Sequence, residues 1–247
     1  YKAGRTDAGS RAAASHTAST YQQAGRKQQS IRAYTRFVEQ FPRPVEQAME
    51  ARHQLVMLYE KTNDPGKQRY WQKQMVDADR AAGNERSDRT RYLAAHARLA
   101  LVAPDFIAYK NTQLKEPLKD NLARKKKFMK AAIKGYNEAA AYTVSEVTTQ
   151  ATFHIGELYT DFGQALMSSE RPRNLSGEEL EQYEILLEEQ AYPFEEKAIE
   201  VHETNAQRVA GGIYDTWVRK SMASLAELIP ARYAKEERGE NFVAILQ

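Results

Sequence analysis

Residues 10–42 read SRAAASHTASTYQQAGRKQQSIRAYTRFVEQFP. Ala18 stands three positions before Tyr21, so both fall on one face of a helix. Beyond Gly25-Arg26 the small Ser30 and the aromatic Tyr34 repeat the device on a second helix, and Pro42 closes the segment. Small residues let two helices approach, aromatics fill the space beside them, and proline ends the second helix because it cannot continue the hydrogen-bond ladder. The stretch therefore spells an antiparallel helical hairpin. Helix period dominates the rest of the chain, with no run of alternating strand residues between Gly or Asn turns, and the expected class is all-α.

The hairpin recurs. Ala48, Ala51, Leu55 and Tyr59 form one stripe, Asn63-Asp64-Pro65-Gly66 a break, and Tyr70, Trp71, Met75 and Ala78 a second stripe. Asp64 suits a helix N-cap and Pro65 a first helical turn. Tyr21 sits where the tetratricopeptide repeat places its signature tyrosine, and Tyr59 follows 38 residues later, against a usual period of about 34. Ile155-Gly156 followed by Tyr159 gives the large, small, aromatic spacing of a repeat's first helix, with Ala151 behind it and Phe162, Ala165 and Leu166 extending it. The expected architecture is an irregular tetratricopeptide-like α-solenoid with elongated helices in its C-terminal half.

Between these units, Ala81-Ala82-Gly83-Asn84 ends a helix and Ser87 or Asp88 opens another, with Tyr92, Ala95, Leu99 and Val102 facing inward and Pro104 ending or kinking it. A long helix is expected from Leu114 to Tyr142, with Pro117 in its first turn and Leu118, Leu122, Phe128, Met129, Ala132, Ile133, Tyr136 and Ala140 along one stripe. Ser168 to Asn174 reads as a loop. Ser176 with Glu178 and Glu179 reads as a helix start, and Pro193 as a kink or short break in the run Leu180 to Val209. Gly211-Gly212 is a helix stop. Ile213, Trp217, Met222, Leu225 and Leu228 make a last amphipathic helix before Pro230. The expected boundaries are 1–86 for the first hairpins, 87–234 for the region of long helices and 235–247 for a polar tail, fraying over Lys235 to Glu240.

Of the 247 residues, 42% are hydrophobic, enough for a core, and none is cysteine. Disulfides, thiolate metal sites and cysteine nucleophiles are thereby excluded. No stretch approaches the roughly 18 apolar residues of a membrane span. The net charge of +3 hides an uneven distribution: residues 1–140 carry 27 Lys/Arg against 14 Asp/Glu, and residues 141–247 carry 9 against 19. Such polarity can orient a charged partner or let protomers meet head to tail.

The stretch from Thr90 to Tyr233 resembles a known family. The residues that carry the likeness are Phe153-His154-Ile155-Gly156-Glu157-Leu158-Tyr159, Ser169-Glu170-Arg171-Pro172, Glu189 to Ile199, and Tyr214-Asp215-Thr216-Trp217-Val218. They are similar to the C-terminal region of large tetratricopeptide proteins of Gram-negative bacteria, which accompany Tol- or TonB-like energised systems and gliding-type machineries. The resemblance spans about two thirds of the chain. It implies a periplasmic or outer-membrane-associated adaptor with more repeats ahead of Tyr1, although the residues themselves leave a cytoplasmic setting open.

No catalytic constellation stands out. His16, His53, His96, His154 and His202 are scattered over different helices, with no pair at the i, i+4 spacing that brings two imidazoles to one metal. His202-Glu203 is half a motif, and Gly211-Gly212 lacks the Lys-Ser/Thr of a phosphate loop. The carboxylates from Glu178 to Glu203 read as a solvated helix face. Arg124-Lys125-Lys126-Lys127, with Lys130 and Lys134, is the sharpest basic patch, and it reads as a solvated face or a contact for an acidic protein ahead of nucleic acid or lipid. No cofactor and no metal are expected.

Stacked hairpins present their first helices to partners. The outward positions are Ser15, Ser19, Gln22 and Gln23 in the first unit; Glu50, His53, Met57 and Glu60 in the second; and Gln150, Phe153, Glu157 and Asp161 in the third. Exposed Met57 and Phe153 are the expected anchors. Three function classes follow: a non-enzymatic scaffold for other proteins or peptides, a structural subunit of a larger envelope assembly, and a helical-fold enzyme, for which no residues are visible. Self-association is open to the first two.

Overall fold

A computed structural model describes residues 2–172 and 175–234. Asn174 of the expected loop and the expected tail 235–247 lie outside them. Among the described residues there are helices and no strand. In chain order they are α1 (Lys2–Gln23), α2 (Lys27–Gln40), α3 (Val45–Lys61), α4 (Pro65–Arg80), α5 (Asp88–Ala100), α6 (Ala103–Asn111), α7 (Leu118–Ala140), α8 (Ser145–Met167), α9 (Gly177–Gln207), α10 (Thr216–Leu228) and the single turn α11 (Pro230–Tyr233). The chain divides into two compact units, one of residues 1–112 and 123–151, the other of residues 113–122 and 152–247.

In the first unit α1 packs on α2, α2 on α3, α3 on α4 and α4 on α5. Gly25 makes the first turn at φ +70°, a conformation that a side chain disfavours. Ala18 is fully buried and its carbonyl accepts from Ser30 Oγ at 3.0 Å, so the buried hydroxyl is satisfied where the helices are closest. Asp64 caps α4 by accepting from the Lys67 amide at 2.9 Å, and Ser87 with Thr90 closes a reciprocal capping box on α5. Ile31, Phe37, Met49, Leu55, Leu58, Trp71, Met75 and Leu93 fill the core. A fully buried Leu such as Leu55 contributes about 1.5–3 kcal/mol.

Three corrections concern α4 to α7. Tyr70 and Tyr92 are not core residues: they are 52% and 37% exposed, because Trp71 and Leu93, one position on, take the inward direction. The long helix starts at Leu118, after Pro117, since residues 113–117 form the connection from α6. Lys125 does not belong to the basic surface. It is 4% exposed, with Nζ 3.9 Å above the Tyr109 ring and donating to the carbonyls of Tyr109 and Thr112 at 3.3 Å each. There it satisfies the C-terminal end of α6.

In the second unit α8, α9 and α10 pack together. Ser176 and Glu179 form the capping box of α9, and Asp215 caps α10 through the amides of Trp217 and Val218. Phe162 meets Phe194 at 4.5 Å, and Leu158, Ala198, Val218 and Leu225 are fully buried. α9 runs unbroken through Pro193, in place of the short break open from sequence. Buried Leu187 and Ala191 before it, and Ala198 and His202 after it, anchor both sides against a proline cost of about 3 kcal/mol. The chain then turns at Gly212, φ +81°.

Candidate interaction surface

Polar side chains join α1, α3, α5 and the start of α8 in sequence. Gln22 of α1 donates to Gln54 Oε1 of α3 at 2.9 Å and accepts from Tyr34 Oη at 3.0 Å. From α3, Glu50 receives Arg89 of α5 through Nε at 2.5 Å and Nη2 at 3.2 Å, a two-pronged ion pair. From α5, His96 Nε2 lies 2.7 Å from Glu146 at the start of α8.

Tyr92 sits at the middle of this row. Its ring is 4.5 Å from that of His96 and 5.5 Å below the Arg89 guanidinium. Its hydroxyl donates to Glu146, which, more than burial, holds the phenol above its ordinary pKa. His53 faces the same cluster. Burial holds its imidazole below the usual value and Arg89 and His96 push the same way, while Glu50 opposes them. The arrangement alternates acceptor, cation, aromatic and acceptor along three helices. Among the described residues no group of three or more His, Asp or Glu is placed to hold a metal.

Of the residues expected on outward positions, Gln22, His53 and Met57 are half-buried, and Gln23 and Glu60 are exposed. Of the other outward positions, Ser15 is exposed and Ser19, Glu50 and Gln150 are half-buried in the first unit, while Phe153, Glu157 and Asp161 lie in the second. Phe153 is not exposed: it is 8% accessible, 5.5 Å from the Trp217 ring and 5.7 Å from that of His202. α10 brings Trp217 over it, and Lys220 Nζ lies 4.5 Å above that indole. Glu157 is half-buried, accepting from Ser224 Oγ at 3.3 Å, and Asp161 is half-buried on the same helix. Lys126, Lys127, Lys130 and Lys134 are all exposed on α7, the last 3.9 Å from Glu138. The sequence left Arg89 and Glu146 unremarked, placed Tyr92 inward and gave His96 no part in a site. The signal was present as Arg89, Tyr92 and His96 at i, i+3 and i+7, one stripe of a helix.

One buried site in the second unit is notable chemically. His202 is fully buried, neither ring nitrogen has a hydrogen-bond partner, and burial pushes its pKa down to about 4. The Glu157 carboxylate is 3.8 Å from Nε2, beyond hydrogen-bond reach. His154 is also pushed to about 4, first by burial and then by Lys220.

Comparison of the chain with protein-family models, with curated proteins and with solved structures gives no match. Function is therefore read from geometry.

Proposed function

We propose that this chain is a non-enzymatic scaffold of the tetratricopeptide type that holds other proteins or peptides. The observation that carries the reading is the row Glu50, Arg89, Tyr92, His96 and Glu146, in which α3, α5 and the start of α8 are linked by polar contacts around an exposed aromatic. The hairpin order of α1 to α5 and the small-residue approaches Ala18 to Ser30 and Ala95 to Ala139 support the repeat class. The setting, periplasmic or at the outer membrane of a Gram-negative cell, rests on the resemblance of residues 90–233.

The test uses the full chain, immobilised and exposed to a bacterial envelope fraction, with retained proteins identified by mass spectrometry. A Tyr92→Ala, Arg89→Ala double variant should lose those partners while its helical circular dichroism is unchanged. Equal retention by the variant would refute this surface as the binding face.

A further inference from the structure

A basic groove lies in the first unit between α1 and α2. It measures about 470 Å³ and is lined by Ala14, Thr17 and Tyr21 on one side and by Arg32, Ala33, Arg36 and Phe37 on the other, with Gln29 and Gln40 at its ends. From Gln29 to Gln40 the α2 wall runs about 16 Å. Its floor is alanine and aromatic ring; Arg32 and Arg36, at i, i+4, stand exposed along its rim. Its length corresponds to about three turns of a helix laid along it.

A helix of matching chemistry lies in the second unit. Residues 178–196 of α9 hold eight glutamates and no basic residue. Gly163 of α8 packs on Ala191, and α8 ends at Met167, so the turns of α9 before Leu187 run past α8. Those turns expose Ile185 and Leu186, 57% and 55% accessible, and Tyr192 one heptad beyond Ile185 is 61% accessible. Ile185 and Tyr192 share a helix face and are about 10 Å apart along it, within the length of the groove. Glu188 and Glu189, both exposed, flank that face on either side. Exposed branched aliphatics inside a run of glutamates are a costly arrangement for a face that meets only water.

The geometry points to self-assembly: the Ile185 to Tyr192 face of α9 seats in the Arg32 and Arg36 groove of a second copy of this chain. The apolar anchors fill the floor, and the glutamates meet the arginines at the rim. Groove and helix are different surfaces, so the contact is heterologous, and each added copy leaves one groove and one helix unfilled. Because the charges sit at the rim, they set partner choice and salt dependence more than total affinity. The inference stands apart from the adaptor reading, which uses α3, α5 and α8.

The test is sedimentation velocity and light scattering on the full chain over a range of concentrations, at low and at high salt. Mass should rise with concentration beyond the 28.2 kDa of one chain and fall as salt increases. Arg32→Glu with Arg36→Glu, or Ile185→Asp with Tyr192→Asp, should each hold the chain as a monomer with unchanged circular dichroism. Mixed together, the two double variants retain one intact groove and one intact helix between them, so they should form a closed heterodimer and nothing larger. A wild-type chain that stays monomeric at every concentration, assembly that survives in either double variant alone, or a mixture without heterodimer would overturn the proposal.

Discussion

Acidification tests the packing of His202. In the folded chain its pKa is near 4, and in the unfolded chain it returns to about 6.5. Well above pH 6.5 both states are neutral and the group adds no pH dependence to folding. As pH falls, the unfolded chain takes up a proton that the folded chain refuses, and stability drops until pH passes the folded value. By linkage the loss is on the order of 1 kcal/mol near pH 5.5 and reaches roughly 3 kcal/mol by pH 4. The control is His202→Leu, of similar volume and without the two unpartnered nitrogens, which should cost no more than about 1.5 kcal/mol at pH 7.5. Urea unfolding would be followed by fluorescence in a Trp71→Phe background, which leaves Trp217 as the one indole, in the unit that holds His202. Subtracting the variant's curve from the parent's cancels His154 and the carboxylates. A difference that stays flat between pH 7.5 and 4.5 would refute the reasoning, because a buried, unpartnered imidazole cannot titrate without it.

Two further predictions rest on close packing. A Cβ on Gly156 would stand 2.5 Å from Cε1 and Nε2 of His202, so Gly156→Ala should cost about 1–3 kcal/mol; a neutral result in urea melts would show that the ring has room to move. Asp79 is 1% exposed and accepts from Thr90 Oγ1 at 2.9 Å and Arg86 Nε at 3.0 Å. Asp79→Ala removes the buried acceptor of Thr90 Oγ1, which keeps only the Ser87 carbonyl at 3.1 Å, and takes the carboxylate from Arg86, so a loss of about 1–3 kcal/mol is expected in the same assay; a loss under about 1 kcal/mol would mean that the Ser87 carbonyl suffices.

The parts of the fold that sequence foretold are those set by neighbours along the chain. Asp64, Ser87 and Ser176 cap helices through contacts two or three residues away, so they read directly from spacing. Facing direction is harder, because it depends on what arrives from elsewhere. Phe153 read as an outward anchor because nothing near it tells that Trp217 and His202 come to cover it. Gly156 read correctly as a small residue at a close approach, yet its partner His202 belongs to another helix. Tyr92 shows the reverse error: as an aromatic at helical spacing it read as core, while Leu93 and Ala94 fill that place. The row around Tyr92 became visible once α3, α5 and the start of α8 were side by side.

Lys125 alters how the most basic run of the chain meets its surroundings. Arg124, Lys126 and Lys127 stand in water, whereas the amine between them is enclosed by the Tyr109 ring and two carbonyls. An acylating reagent or an acetyltransferase working on the folded protein therefore meets an interrupted series, with Lys126 and Lys127 open to modification and Lys125 shielded. Reaction at Lys125 becomes a chemical clock for the opening of α6 away from α7, advancing only as fast as that packing comes apart.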